Sequence, residues 1–273
     1  MLADYHIHTD FSDDSNYPLE EVIKDAIKLN INDICITDHV DYGIKKDWDE
    51  IEIKNKDTIT NVNYPKYIED IKKMKDKYSK QIDIKIGLEC GIQTSTINKY
   101  EELLKKYDFD FIIFSVHQVD NKEFWTQDFQ KNKTQKEYNE AYYKEILEVV
   151  KKFKNYSVLG HLDLIIRYDK KGIYPFEKVK PIIEEILKIV IEDGKGIELN
   201  TSYNRYGLKD TTPSVDILKL YHKLGGNIIT IGSDSHQPSH LGFNINEAKE
   251  ILKDIGFKQF CTYNKMIPIF HNL

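Results

Sequence analysis

Six short apolar runs in this chain each stop on a histidine or a carboxylate, and no other feature constrains the fold as much. Residues 2–7 carry His6 and lead to His8, Ile34-Cys35-Ile36-Thr37 ends in Asp38-His39, and the run at 82–88 ends in Glu89. The run at 111–116 ends in His117, the one at 157–160 in His161, and the one at 227–232 enters Ser233-Asp234-Ser235-His236. A further run, Gly196-Ile197-Glu198-Leu199, ends in Asn200. Such runs read as strands. Between them lie stretches with apolar residues at helical spacing, for example Val22, Ile23, Ala26, Ile27 and Leu29. Alternating strands and helices imply parallel strands joined by right-handed crossovers. A doubly wound open sheet would gather ligands at one switch point. Here six strand ends carry a candidate ligand, and a closed or nearly closed barrel is the arrangement that brings six strand ends to one place. The expected fold is therefore a (β/α)7 barrel, TIM-like, with its site at the C-terminal ends of the strands.

The local signals agree with seven units in one domain, 1–273. Pro18 with Glu20 and Glu21 marks a helix start, and Thr134-Gln135-Lys136-Glu137 has the capping-box pattern for a helix running to about Lys154. Further helices are expected near 67–74, 95–106 and 175–192, from Thr212-Pro213 onward, and near 246–252; a strand-like stretch at 257–263 closes the chain. Residues 41–63 and 118–133 are polar excursions over the barrel mouth, the first with room for a short helix and the second carrying Trp125.

Composition removes several functions. A net charge of -6 argues against non-specific nucleic-acid binding. No apolar run is long enough to span a bilayer, and Asp4 with the histidines interrupts any signal-peptide pattern. Cys35, Cys90 and Cys261 are odd in number and unpaired in sequence, which fits reduced thiols and a cytoplasmic location. The expected partner is a small phosphate ester, with no nucleic acid and no membrane; nothing in the sequence bears on oligomeric state.

Of nine histidines, His6, His8, His39, His117, His161 and His236 fall at strand exits. His222 and His271 read as structural, and His240 stays open. With Asp14, Glu89 and Asp234 the exits offer nine ligands. A zinc-type site uses about four, so nine fit two or three divalent ions. Imidazole with carboxylate and no thiolate suits Zn, Mn or Fe. Asp38 and Asp163, each beside a histidine, read as orienting groups or proton donors. Of 39 basic residues only Arg167 and Arg205 are arginine, which marks Arg167, and after it Arg205, as phosphate clamps.

His6-x-His8, Thr37-Asp38-His39, Gly87-Leu88-Glu89, Ser115-Val116-His117, Gly160-His161-Leu162-Asp163 and Gly232-Ser233-Asp234-Ser235-His236 resemble, in order, the motifs of the polymerase and histidinol phosphatase (PHP) superfamily. The likeness runs from His6 to at least Leu241. It is greatest to the stand-alone histidinol-phosphatase branch, which Phe124-Trp125-Thr126-Gln127-Asp128-Phe129, Asn200-Thr201-Ser202 and Arg205-Tyr206-Gly207-Leu208 also resemble. The resemblance implies a distorted seven-unit barrel with a trinuclear centre. One metal would take His6, His8, Glu89 and Asp234; a second would share Glu89 and add His117 and His161; the third would take Asp14, His39 and His236, with Asp13 competing for the place of Asp14. It also implies hydrolysis of L-histidinol phosphate, a step of histidine biosynthesis, by a metal-activated water, with Arg167, Arg205 and Asn200 on the substrate. Three rivals are weighed against it. An amidohydrolase barrel needs fewer ligands and a bridging lysine, a proofreading exonuclease would sit beside a polymerase with a basic groove, and a metal-stabilised module without activity would have lost ligands.

Overall fold

The computed structural model describes residues 1–50 and 59–273, so residues 51–58 of the first expected excursion lie outside the described residues. Seven parallel strands form one sheet: β1 (Ala3–Ile7), β2 (Asp33–Ile36), β3 (Asp83–Gly91), β4 (Phe111–Ser115), β5 (Val158–Leu159), β6 (Gly196–Asn200) and β7 (Ile229–Gly232). Each pairs with the next in chain order. The sheet nearly closes: β7 meets β1 only through the Ile7–Ser235 bridge, with His8 N–H donating to Ser235 O at 2.8 Å. That is the expected barrel.

The connecting helices are α1 (Leu19–Lys28), α2 (Tyr64–Tyr78), α3 (Ile97–Lys106), α4 (Gln135–Lys152), α5 (Phe176–Glu192), α6 (Val215–Lys223) and α7 (Ile245–Ile255). Each lays an apolar stripe on the sheet; α1 buries Val22, Ile23 and Ala26 there. The capping box of α4 forms as expected, Thr134 Oγ1 accepting from Glu137 N–H and the Glu137 carboxylate accepting from Thr134 N–H. By contrast α6 starts two residues after Pro213, and its N-cap residue Ser214 donates its N–H to Asp163 Oδ2 at 2.9 Å.

Two places depart from the expected layout. The strand-like end of the chain does not join the barrel. Instead β8 (Gln259–Asn264) pairs antiparallel with β9 (Ile267–Asn272), and this hairpin covers the end opposite the strand exits, where Met266 N–H reaches Asp110 O at 2.8 Å. The second excursion contains a small antiparallel pair, Gln118–Val119 with Lys122–Glu123, before a series of turns. Among the described residues no helix is long and apolar enough to cross a membrane.

Candidate metal centre

Strand exits position the cluster. A bulge between Asp4 and Ile7 in β1 offsets it from β2 by one residue, a device that re-aims side chains beside functional sites. Beyond β2 the chain returns to the sheet, where His39–Val40 pairs with Glu89–Cys90 of β3. That pairing sets His39 beside Glu89.

Glu89 is the hub. Its Oε1 lies 2.7 Å from His161 Nε2 and 3.0 Å from His117 Nε2. Its Oε2 lies 3.0 Å from His6 Nε2, 3.1 Å from His39 Nδ1 and 3.4 Å from His8 Nε2. Asp234 Oδ1 faces His8 at 3.6 Å and His6 at 3.8 Å. Further out, Asp14 Oδ2 meets His236 Nε2 at 3.1 Å and His39 Nε2 at 3.4 Å. His8 is stacked between His39 and His236, with ring centroids 4.2 Å from each. All nine expected side chains therefore converge. Asp13 does not: it pairs with Lys45 instead.

Ligand atoms fall within 4.8 Å of one another in four groups: His6-Glu89-His161, His6-His8-Asp234, His8-Asp14-His39-His236 and His39-Asp41-His117. These groups overlap the expected ones. His161 gathers with His6, and His8 approaches the outer group as well as the inner one.

The cluster has the chemistry of a cation site. Among the described residues, His6 Nε2, His8 Nε2 and His39 Nδ1 are buried without hydrogen-bond partners although each faces a Glu89 oxygen. Lone pairs opposed to a carboxylate are satisfied by a cation between them. Burial opposes charge on Glu89, yet His6, His117 and His39 hold it well below the usual carboxylate range. Burial also opposes charge on His117, but Glu89 and Asp41 push it up to about 10. No thiolate takes part; Cys90 is buried and free.

Two groups went unanticipated, Asp41 and Glu198. Asp41 Oδ1 accepts from His117 Nδ1 at 2.8 Å and Glu198 Oε1 from His6 Nδ1 at 2.6 Å. Their signal was there: Asp41 follows His39, and Glu198 precedes Asn200, at the two-residue spacing that shares a strand face.

Other expected residues sit behind the cluster. Asp38 is buried and accepts from Thr9 N–H and Ser12 Oγ, both at 2.6 Å, while Ser12 Oγ lies 3.3 Å from His8 Nδ1. Burial pushes Asp38 up to about 6 and Asp163 up to about 7. Neither lines the cavity at the strand exits. Asp38 reaches His8 through Ser12, an orienting place, whereas Asp163 accepts from Ser214 N–H and, among the described residues, bonds no ligand histidine. Asn200 is likewise buried, with Oδ1 3.3 Å from Arg167 Nη2, and does not face the cavity. Arg205 donates from Nη2 to the carbonyls of Ser233 and Asp234 at 2.9 and 2.7 Å, and it too lies outside the lining. Arg167 does line the cavity. It donates to Asp234 Oδ2 at 3.2 Å and to Ser202 Oγ at 2.6 Å, with its guanidinium 4.4 Å from the Tyr206 ring.

The cavity holds about 420 Å³. Its floor is the cluster; its walls include Trp125, Tyr168, Tyr206, Glu123 and the Asp13–Lys45 pair. The remaining three histidines stay outside the cluster: His222 packs on Phe257, His271 bonds Thr262, and His240, which the sequence left open, contacts Gln237.

Fold and site together define a class: a nearly closed parallel barrel whose strand exits assemble a histidine–carboxylate metal-binding cluster. The PHP domain family matches residues 4–202, and the chain belongs to it. It is 31% identical over 270 residues to a histidinol-phosphatase of Lactococcus lactis subsp. lactis (strain IL1403), covering 96% of this chain and 94% of that one. It is 29% identical to a probable histidinol-phosphatase of Clostridium acetobutylicum, covering 94% and 95%. The fold superimposes with a TM-score of 0.86 on a crystal structure of histidinol phosphate phosphatase from Lactococcus lactis subsp. lactis Il1403, complexed with zinc, L-histidinol and phosphate, at 30% identity over 98% of both chains.

Proposed function

We propose that this chain is a histidinol-phosphatase, a metal-dependent hydrolase that converts L-histidinol phosphate and water to L-histidinol and phosphate. The observation that carries the reading is the likeness, over 98% of both chains, to a protein crystallised with zinc, L-histidinol and phosphate. The local chemistry agrees with it. His6, His8, Asp14, His39, Glu89, His117, His161, Asp234 and His236 would hold two to three divalent ions, zinc among them. When bound, such ions polarise phosphoryl oxygens and make water nucleophilic near neutral pH.

The chain's own groups do the rest. Arg167 is fixed on two sides, by Asp234 and by Ser202, so its fork is preorganised for a phosphoryl oxygen at the cavity wall. The buried Asn200 stiffens that fork from behind. At the mouth Glu123 meets the substrate ammonium, and Trp125 and Tyr168, 6.0 Å apart, offer faces to its imidazole. Lys45, the one lysine lining the cavity among the described residues, is held by Asp13 and Asp41. It is therefore not placed to bridge metals as an amidohydrolase lysine would.

A phosphatase panel on zinc-replete protein tests the reading. Histidinol phosphate should exceed sugar and nucleotide phosphates in kcat/KM by at least ~10²-fold. Equal turnover across the panel would reduce the function to a general phosphomonoesterase.

A further inference from the structure

Glu198, like Asp41, is a buried carboxylate of the site that no expected role absorbs. It lies mid-strand in β6, 1% exposed, in an otherwise apolar run. Among the described residues no lysine or arginine pairs with it. Instead its two oxygens serve two different ligand histidines. Oε1 accepts from His6 Nδ1 at 2.6 Å, and Oε2 accepts from the backbone N–H of His161 at 3.0 Å and from Asn200 Nδ2 at 3.2 Å.

The surrounding strands are cut back to make room. A Cβ on Gly232 would stand 2.5 Å from Glu198 Oε1 and 2.3 Å from the His6 Cβ. A Cβ on Gly160 would stand 3.4 Å from Oε2 and 2.8 Å from Ser115 Oγ. Gly232, on the β7 side, thus leaves the space that the carboxylate and the His6 side chain occupy, while Gly160 makes room chiefly for Ile113 and Ser115. The carboxylate sits in a built niche between three strands.

From this geometry we infer that Glu198 is the positioning residue of the inner metal site: it fixes the His6 tautomer and couples His6 to His161. The inference rests on the metal-centre reading above. With Nδ1–H committed to Glu198, the His6 lone pair is on Nε2, which points at Glu89 and Asp234. Partners of this kind orient a ligand imidazole and raise its basicity. A carboxylate is required because both oxygens must accept. Glutamine has one acceptor and one donor. If its oxygen keeps His6, its amide N–H2 faces the His161 N–H and the Asn200 amide; if it turns over, it faces His6. Either way one donor meets another donor.

The test is a zinc titration of the stripped full-length protein against a chromophoric chelator, comparing the parent, Glu198→Gln and Asp14→Asn. For Glu198→Gln the tightest zinc should weaken by about 10- to 100-fold, while the outer zinc lost in Asp14→Asn is retained. Excess zinc should restore the activity of Glu198→Gln towards that of the parent; the selective weakening of the tightest zinc, with the outer one retained, is what a role in folding alone would not give. Superimposable isotherms for the parent and Glu198→Gln would overturn the inference. If Glu198→Gln fails to fold, Glu198→Asp decides: it keeps the charge but cannot span both histidines, and unchanged zinc affinity there overturns the inference equally. A parent that takes up no zinc overturns the metal centre itself, and this role of Glu198 with it.

Discussion

At the scale of single residues, the arginine count proved informative in two different ways. The two arginines of a lysine-rich chain end up on either side of Asp234, Arg167 on its carboxylate and Arg205 on its carbonyl oxygen. Asp234 itself sits at a φ of 56°, in the left-handed region that an aspartate tolerates better than most residues. Arg205 therefore anchors the backbone that carries a cluster carboxylate, whereas Arg167 keeps an edge towards the cavity. A lysine at 167 would supply charge without the fork that spans Asp234 and Ser202. Arg167→Lys is expected to lower kcat/KM by on the order of 10²-fold or more, about 2.7 kcal/mol of transition-state stabilisation. Inorganic phosphate should inhibit the variant more weakly than the parent. Turnover within a few-fold of the parent, measured on zinc-replete protein, would remove the clamp role.

At the scale of elements, what could be read in advance was whatever closed an apolar run, even where, as at Glu89, the strand itself continues to Gly91. His39, Glu89, His117 and His161 each follow an apolar run, and a run's end is a local signal that survives folding. What could not be read was whatever depends on packing between strands. Glu198 lies inside a strand, and its role needs the neighbouring glycines; Asp38, Asp163 and Asn200 have the right chemistry, but burial turns them away from the cavity. The closing hairpin was missed for a similar reason, since a lone β-prone stretch does not say which edge it pairs with. Its Tyr263 plugs the closed end, where Tyr5 Oη accepts from Tyr263 N–H and donates to Asp33 at 3.1 Å. Burial there, with Asp83 and Asp110 adding to it against the pull of Lys85, pushes Asp33 up to about 7. A carboxyl with a raised folded pKa favours the native state fully only below its unfolded value near ~4. That contribution is lost as pH rises through about 7. Asp33→Asn, which keeps an acceptor for Tyr5, should therefore stabilise the metal-free protein by ~1–2 kcal/mol at pH 8 and by little at pH 4.5. Urea unfolding at the two pH values measures the difference, and an equal effect at both would show that Asp33 is charged throughout.

At the scale of the whole molecule, the metal cluster and the weakest seam of the barrel coincide. Six neighbouring strand pairs are laddered, but β7 and β1 share only the Ile7–Ser235 bridge. His6 and His8 leave one side of that seam, Asp234 and His236 the other, and Asp234 lies within 3.8 Å of both first-strand histidines. Cations held there would staple the barrel shut as well as serve the reaction. A ligand that binds only the native state stabilises it by RT ln(1 + [L]/Kd), ~4 kcal/mol at a thousandfold excess over Kd. Chelation should therefore lower the Tm by several degrees and abolish hydrolysis, and zinc should restore both. Purified without chelator, the protein should carry two to three equivalents. The metals must also displace protons, because the carboxylates draw them onto the ring nitrogens: despite burial, Asp14 and Asp234 push His236 up to about 9, as Glu89 and Asp41 push His117 up to about 10. Folded-state pKa values raised this far mean that zinc uptake releases protons and weakens steadily as pH falls from about 9 towards 6. Calorimetry in buffers of different ionisation enthalpy counts the protons released. At most one equivalent of metal in fully active protein, or a melting temperature indifferent to chelator, would disprove the stapled, multinuclear barrel.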